Sequence, residues 1–216
     1  MEIELKYAAD GSDVCDAVWE DSELSAMSVP GEEDRRSEIF YAVYYDTFDH
    51  ALMKNDIAFR IRKEGDRAAA TLKWNGKSDG PLHIRNELNL SLGEWRDGIE
   101  PDLSIFRESE IGGDLEKIVG KKPLRPLMRM GFRRRSMRIG TETGIAEISV
   151  DEGEIVTEKG TAPISEVEIE LFSGEAEDIK AVGEMLREKY DLIPGSESKF
   201  ARGLKLLDLI QEENIR

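Results

Sequence analysis

Glutamate recurs at every second position in two segments near opposite ends of the 216-residue chain. The first segment contains Glu2 and Glu4, followed at the same spacing by Lys6, and the second contains Glu166, Glu168 and Glu170. Side chains two positions apart on a β-strand share one face, so each segment predicts a strand with a row of carboxylates. The chain has only two histidines and one cysteine. Carboxylates clustered in such a chain suit Mg²⁺ or Mn²⁺ and argue against a zinc site built from His and Cys.

Arginine and lysine alternate in the same way through the middle of the chain. The predicted strands place on one face the side chains of Arg60, Arg62, Lys73, Arg85, Arg133 and Arg135. A guanidinium group donates two parallel hydrogen bonds to phosphate oxygens, so a repeated arginine face favours a strongly anionic ligand. Arg134 and Arg138 have the opposite parity, and we expect them on the outer surface.

Seven or eight alternating strands must position these charged faces, with a turn expected at Gly153 between two of them. A polar strand face usually meets solvent, but these faces are almost purely ionisable and are sorted by sign along the chain. Eight antiparallel strands closed into a barrel would gather them around an interior that can hold one small ligand. Helices, two of them at about 175–190 and 197–212, would cover the outward apolar faces. We therefore predict an α+β fold, a closed eight-stranded antiparallel β-barrel that forms a single domain over residues 1–216.

The charge balance narrows the classes of partner. Thirty basic residues against forty-six acidic ones give a net charge of −16, which disfavours binding to duplex nucleic acid or to an anionic membrane surface. The single cysteine, Cys15, excludes an internal disulfide and indicates a reducing, cytoplasmic setting. We expect no transmembrane helix and no signal peptide, because the chain lacks a long apolar run and begins directly with patterned sequence.

Taken in order along the chain, these motifs resemble the CYTH superfamily, the triphosphate tunnel metalloenzymes, and are most similar to its bacterial inorganic triphosphatase branch. The resemblance covers residues 2 to about 207, and its strength lies in the order of the elements rather than in any one motif. The elements are Glu2-Ile3-Glu4-Leu5-Lys6, Tyr45-Asp46-Thr47, Arg60-Ile61-Arg62, Thr71-Leu72-Lys73, Arg85-Asn86-Glu87, Arg133-x-Arg135, Asp151, Glu166-Val167-Glu168-Ile169-Glu170 and Ser198-Lys199-Phe200.

The resemblance implies a role for each charged position. The metal would be Mg²⁺ or Mn²⁺, held by residues from the set Glu2, Glu4, Asp151, Glu166, Glu168 and Glu170, with Glu168 preferred on the second acidic strand. Catalysis would depend on Glu2, Glu4, Lys6, Asp151 and Lys199. The triphosphate would be bound by Lys6, Arg60, Arg62, Lys73, Arg85, Arg133, Arg135 and Lys199, with Glu87 orienting the basic groups.

The activity that this resemblance implies is metal-dependent hydrolysis of inorganic tripolyphosphate to pyrophosphate and phosphate in a cationic tunnel. A thiamine triphosphatase and a class IV adenylate cyclase are alternatives on the same fold, and Trp74 or Trp95 is the candidate aromatic for an organic group. A non-catalytic polyphosphate or nucleotide sensor and an open sheet that binds a protein stay open, as do the monomer and the homodimer. His83 is expected at a loop end, and Cys15 is expected to be buried in a helix.

Overall fold

The computed structural model describes residues 1–29, 35–195 and 197–211. Eight antiparallel strands follow the order β5-β4-β3-β2-β6-β7-β8-β1, and β1 also pairs with β5, which closes the sheet into a barrel. A two-residue strand, β9 (Ile193–Pro194), pairs with Tyr7 and Ala8 at the end of β1, beyond the residues that pair with β5. The predicted closed barrel is confirmed. Its strands are β1 (Glu2–Ala8), β2 (Arg36–Thr47), β3 (Ile57–Glu64), β4 (Arg67–Asp79), β5 (Leu82–Glu94), β6 (Leu124–Gly140), β7 (Ile145–Thr157) and β8 (Gly160–Ser173).

The strand register places charged residues of neighbouring strands on the same, inner face of the barrel. Residues directly opposite each other on paired strands point to the same side of the sheet. Glu4 lies opposite Glu170, and Lys6 lies opposite Glu168, in the pairing of β1 with β8. Glu2 lies opposite Arg85 where β1 meets β5. The charged rows seen in the sequence therefore converge on the interior.

Two helical layers cover the outward apolar faces. The first consists of α1 (Ser12–Trp19) and α4 (Ala176–Tyr190), which pack on the outer face of β1, β7 and β8. Gly183 lets α4 approach β1 closely, because a Cβ there would lie 2.5 Å from Tyr7 Oη. The second layer consists of α3 (Gly112–Val119) and a 3₁₀ turn at Leu103–Phe106, which pack on β3 and β4. A short helix, α2 (Ser22–Ala26), and a 3₁₀ turn at Met53–Asn55 lie in the connections.

The last helix, α5 (Lys199–Leu206), differs from the expectation that it covers the outside. Leu204 of this helix and Leu207, its C-cap, join a cluster with Met128, Met130 and Phe132, whose register places them on the inner face of β6. A Cβ at Gly203 would collide with the Met128 side chain, so this glycine permits the close contact. Part of the barrel interior is therefore apolar and packed against α5. The end of the predicted segment 197–212, residue 212, lies outside the described residues.

The expected turn at Gly153 is wrong, because β7 runs through this position. Gly153 lies opposite both Phe132 of β6 and Ile164 of β8. A Cβ here would clash with the backbone of β6 at Gly131, so the glycine serves close strand packing instead of a reversal. In the part of the chain that the structure describes, no helix has the length and apolarity needed to cross a membrane.

Candidate functional site

The barrel encloses a cavity of about 700 Å³ whose wall carries as many acidic as basic side chains. Its lining includes the predicted residues Glu2, Glu4, Lys6, Arg60, Arg62, Lys73, Arg85, Glu87, Glu168, Glu170 and Lys199. The tunnel is therefore not uniformly cationic. Its chemistry depends on where the two signs of charge meet and where they do not.

Charges of opposite sign meet around Lys199, at the first turn of α5. We call this group the Lys199 cluster, and it consists of Lys6, Arg134, Asp151, Glu166, Glu168 and Lys199. The Lys199 Nζ atom lies 2.8 Å from Asp151 Oδ2, 2.8 Å from Glu166 Oε2 and 2.9 Å from Glu168 Oε1. Ser198 caps α5 by accepting a hydrogen bond from the Ala201 amide at 3.1 Å, which fixes the turn that carries Lys199.

Glu168 lies at the centre of the Lys199 cluster. It also pairs with Lys6 Nζ and with Arg134 Nη2, each at 2.5 Å. Burial favours the neutral acid, but the charges of Lys199, Lys6 and Arg134 outweigh it and hold the pKa of Glu168 well below its usual range. The pKa of Lys199 is raised well above its usual value, since the neighbouring carboxylates outweigh the effect of burial.

A second acidic group, the Glu4 cluster, consists of Glu2, Glu4 and Glu170 with Lys73 and Arg85. Arg85 bridges the first two carboxylates, at 2.7 Å from Glu2 Oε2 and 2.6 Å from Glu4 Oε1. Lys73 binds Glu2 at 2.9 Å. No hydrogen bond or ion pair reaches Glu170 from the described residues, and burial together with the charges of Glu2 and Glu4 raises its pKa to about 7. Glu170 is therefore only partly ionised at neutral pH, and its ionised form gives this end of the site an excess of negative charge.

Arg60 and Arg62 on β3 form the opposite, basic wall, which we call the Arg60 wall. The Arg60 guanidinium donates a hydrogen bond to Tyr44 Oη at 3.1 Å, and none of the described carboxylates is within ion-pair distance of it. Arg62 pairs with Glu64 at its end of the strand. Burial and the nearby charges of Arg60 and Arg134 lower the pKa of Arg62 to about 10. This wall has an excess of positive charge, and Arg62 still remains charged at neutral pH.

The structure corrects the assignment of the arginines on β6. Arg134 points into the barrel and binds Asp151 through both carboxylate oxygens, at 2.7 and 2.6 Å. Arg133 and Arg135, which were expected to line the tunnel, lie on the outer face, and both bind Glu152 there. Arg138 shares the inner parity of Arg134, opposite Glu147. The physical reason is register, because Arg134 lies directly opposite the fully buried Asp151.

Comparison with known proteins identifies the family. A model of the CYTH domain matches residues 1–204. The chain belongs to the CYTH domain family. An inorganic triphosphatase of Haemophilus influenzae is 32% identical over 168 residues, which are 76% of this chain and 44% of that protein. This CYTH domain therefore aligns with less than half the length of that relative.

Solved structures that resemble this CYTH domain share its fold at low sequence identity. A Hippeastrum protein, described as an adenylyl cyclase with a dominant triphosphatase activity, has a TM-score of 0.63 at 18% identity, with complete coverage of both chains. A Bacillus halodurans protein, described as an adenylate cyclase, has a TM-score of 0.57 at 19% identity, covering 94% of this chain and 96% of its own. At this identity the likeness concerns the fold alone.

The donor chemistry of this CYTH domain suits a hard divalent cation. Among the described residues, no three Asp, Glu, His or Cys side chains are gathered as a ready metal site. The Glu4 cluster fits the ion best, since Glu170 has no hydrogen-bond or ion-pair partner among the described residues and carboxylate oxygens are the ligands that Mg²⁺ prefers. In the Lys199 cluster, the ammonium and guanidinium groups already neutralise Asp151, Glu166 and Glu168.

Sequence reasoning missed several groups that line or support the cavity. Arg36 binds Glu147 at 2.7 Å across the inner face, and Tyr44 contacts Arg60. Their inner parity is visible only once β2 is paired with β6. Of the two tryptophans considered, Trp74 lines the cavity, whereas Trp95 lies against Lys63. Cys15 is buried in α1, as predicted.

Proposed function

We propose that this CYTH domain is a metal-dependent triphosphatase that cleaves inorganic tripolyphosphate into pyrophosphate and phosphate. The observation that carries the proposal is the separation of unbalanced charge across one cavity, with excess carboxylate at Glu170 and excess guanidinium at Arg60 and Arg62. A polyphosphate that arrives with a divalent cation supplies the opposite charge to both walls. The similarity to the Haemophilus triphosphatase supports the same substrate class.

Under this proposal the basic groups bind the phosphate oxygens. Arg60 and Arg62 contact one side of the bound polyphosphate. Lys73 and Arg85 contact its other side once their ion pairs with Glu2 and Glu4 are broken. Phosphoryl transfer spreads negative charge over the equatorial oxygens in the transition state, and preorganised guanidinium groups stabilise that charge more than they stabilise the ground state.

Glu2, Glu4 and Glu170 are the residues we propose to hold Mg²⁺ or Mn²⁺. Such an ion, when bound, neutralises phosphate charge and polarises the phosphorus–oxygen bonds. The role of the protein is to orient a water molecule for attack on the terminal phosphorus. The new phosphorus–oxygen bond forms as the bond to the bridging oxygen breaks, pyrophosphate leaves with that oxygen, and the proton that the water loses passes to one of the two products. Glu87, which pairs with Lys73, keeps this ammonium at the wall.

An organic triphosphate is the second candidate substrate, and the aromatic part of the cavity favours it. Tyr44 stacks on Phe200 with ring centroids 4.9 Å apart, and Phe40 stacks on Phe132 at 5.4 Å. All four rings line the same cavity as the charged walls. Thiamine triphosphate or a nucleoside triphosphate would place its organic part against these rings.

We propose a small anion, rather than nucleic acid or a membrane, as the partner, and a reducing, cytoplasmic compartment as the setting. The net charge of −16 and the free, buried Cys15 support this.

The test is phosphate release from tripolyphosphate, thiamine triphosphate and ATP, each with Mg²⁺, Mn²⁺ or EDTA. We expect metal-dependent release of one phosphate per tripolyphosphate, faster than release from either organic substrate. If phosphate is released faster from thiamine triphosphate or ATP, that compound replaces tripolyphosphate as the proposed substrate. Thermal stabilisation by all three anions without any turnover would favour the non-catalytic sensor, because a ligand stabilises whatever fold it binds.

A further inference from the structure

His83 is buried near the start of β5, two residues after Pro81 and so next to the loop end where it was expected. It is 7% exposed and lies opposite Glu4 in the short ladder that closes the barrel between β1 and β5. It does not line the cavity, whereas Arg85, two residues further along the same face, does. His83 is therefore not among the residues proposed to bind the phosphates, and its role needs a separate explanation.

The His83 side chain contacts the segment that leads into α5. Its Nε2 atom lies 2.9 Å from the carbonyl oxygen of Gly195. A carbonyl oxygen can only accept, so Nε2 carries the proton and donates it. Burial, with a further contribution from the charge of Lys6, lowers the pKa of His83 and so favours the neutral ring.

Gly195 is held from two sides. Its amide donates to the carbonyl oxygen of Lys6 at 2.9 Å, and the Lys6 amide donates to the carbonyl oxygen of Pro81 at 2.9 Å. Gly195 is thus attached to β1 through its nitrogen and to β5 through its oxygen. Ser198, the cap of α5, follows three residues later, and Lys199 follows directly.

We propose that His83 is a positioning residue that sets the place of the first turn of α5, and thereby the place of Lys199, through its hydrogen bond to Gly195. The expected effect on kcat rests on the proposed triphosphatase function. The expected effect on the position of α5 rests on the structure alone. Small displacements matter here, because Lys199 Nζ is within 3 Å of three carboxylates at once. A shift of about 1 Å in such a group can reduce a rate by about 100-fold.

Two substitutions at the same position separate positioning from packing. His83→Leu keeps a side chain of similar volume and removes the N–H group that donates to Gly195. His83→Gln keeps an N–H donor near the position of Nε2. Tyr190→Phe is the matched control, because it removes a side-chain hydrogen bond that is donated to Asp21 and not to Gly195 or to a residue of α5. Circular dichroism and the Tm show whether each variant folds.

The first readout is hydrogen exchange of the α5 amides, which needs no activity. We expect exchange in residues 199–206 to be about 10-fold faster in His83→Leu, close to wild type in His83→Gln and unchanged in Tyr190→Phe. The second readout is steady-state kinetics with tripolyphosphate and Mg²⁺. We expect kcat to fall about 10-fold in His83→Leu with KM changed less than twofold, and His83→Gln to restore most of the loss.

Unchanged exchange in α5 of His83→Leu overturns the proposal whatever the kinetics show. A kcat loss that His83→Gln shares in full also overturns it, because the donor would then be irrelevant. A wild-type protein without turnover refutes the proposed function alone. The exchange experiment still decides the positioning role in that case.

Discussion

The Lys199 cluster and the Arg60 wall lie inside the same barrel and differ in how their charges are balanced. Lys199, Arg134 and Lys6 meet three carboxylates at 2.5 to 2.9 Å, whereas Arg60 has only the Tyr44 hydroxyl as a hydrogen-bond partner among the described residues. An unpaired buried charge costs several kcal/mol, and a paired one costs far less. The Lys199 cluster is therefore complete without a ligand, while the Arg60 wall and the Glu4 cluster opposite it are complete only with one.

The strongest test of this contrast is Glu4→Gln in the Glu4 cluster. The amide keeps the shape of the side chain and removes the charge that a divalent cation needs. We expect phosphate release from tripolyphosphate to fall by about 10- to 100-fold, since loss of a group that supports a metal commonly costs that much in affinity or activity. The measurement is initial rate at saturating Mg²⁺.

Glu154→Gln is the control for this substitution, because Glu154 lies on the outer, exposed side of β7. Its rate should stay within about twofold of wild type, as expected for a surface change. Equal rates for Glu4→Gln and wild type would remove Glu4 from the metal set.

Arg134→Met tests the Lys199 cluster through folding instead of turnover. It leaves Asp151 and Glu168 with one cation fewer, and removal of one partner from a buried ion pair costs about 3–5 kcal/mol. For a chain of this size the Tm should fall by roughly 10 °C. Calorimetry or thermal circular dichroism measures the change.

The neighbouring Arg133→Met provides the matched comparison. Arg133 carries the same charge on the same strand, but its side chain is 46% exposed and its partner Glu152 is also bound by Arg135. A surface pair of this kind contributes about 0–1 kcal/mol. Similar Tm losses in the two variants would contradict the inward orientation of Arg134.

Arg62→Gln should separate stability from binding at the Arg60 wall. Removing a cation that is crowded by Arg60 and Arg134 relieves repulsion, so we expect the Tm of the free protein to stay level or rise by a degree or two. Tripolyphosphate at about 100 times its Kd should stabilise wild type by about 2.7 kcal/mol, or roughly 5–10 °C in Tm. The variant should show less than half of that rise, and an equal rise would place the anion elsewhere.

The sequence predicted this barrel well because period-2 alternation is a local signal. Glu2, Glu4 and Lys6 reveal one face of β1 without any knowledge of the neighbouring strands. The same signal fails at Arg133-Arg134-Arg135, where three consecutive arginines satisfy both parities. A signal was available nonetheless, since Met137 and Ile139 share the parity of Arg133 and belong to the outward apolar face.

Other features of the site depend on contacts that no local pattern encodes. Lys6 and Glu168 are 162 positions apart, and their 2.5 Å contact exists only after β1 pairs with β8. An amphipathic helix can cover either side of a sheet, so the sequence of α5 alone does not place it against the inner face. The division of the carboxylates between two clusters follows from that placement, because α5 carries Lys199 to one of them.

The smallest effect is expected at an ion pair outside the barrel, between the buried Asp21 and the partly exposed Lys189. Asp21 binds Lys189 at 2.8 Å and accepts a hydrogen bond from Tyr190, and these contacts, with two backbone amides of α2, outweigh burial and lower the pKa of Asp21 to about 2.

Since an unfolded Asp has a pKa near 3.9, the stability that Asp21 contributes is present above about pH 4 and is lost as the pH falls towards 2. Asp21→Asn keeps the oxygen that caps α2, removes the charge and replaces the oxygen that faces Tyr190 and Lys189 with an amide NH2 group. Its Tm at pH 7 should be about 2–3 °C below wild type, since solvent screens an exposed partner such as Lys189. The gap should shrink as the pH approaches 3, and a gap that is constant from pH 7 to 3 would show that the hydrogen bonds rather than the charge account for it.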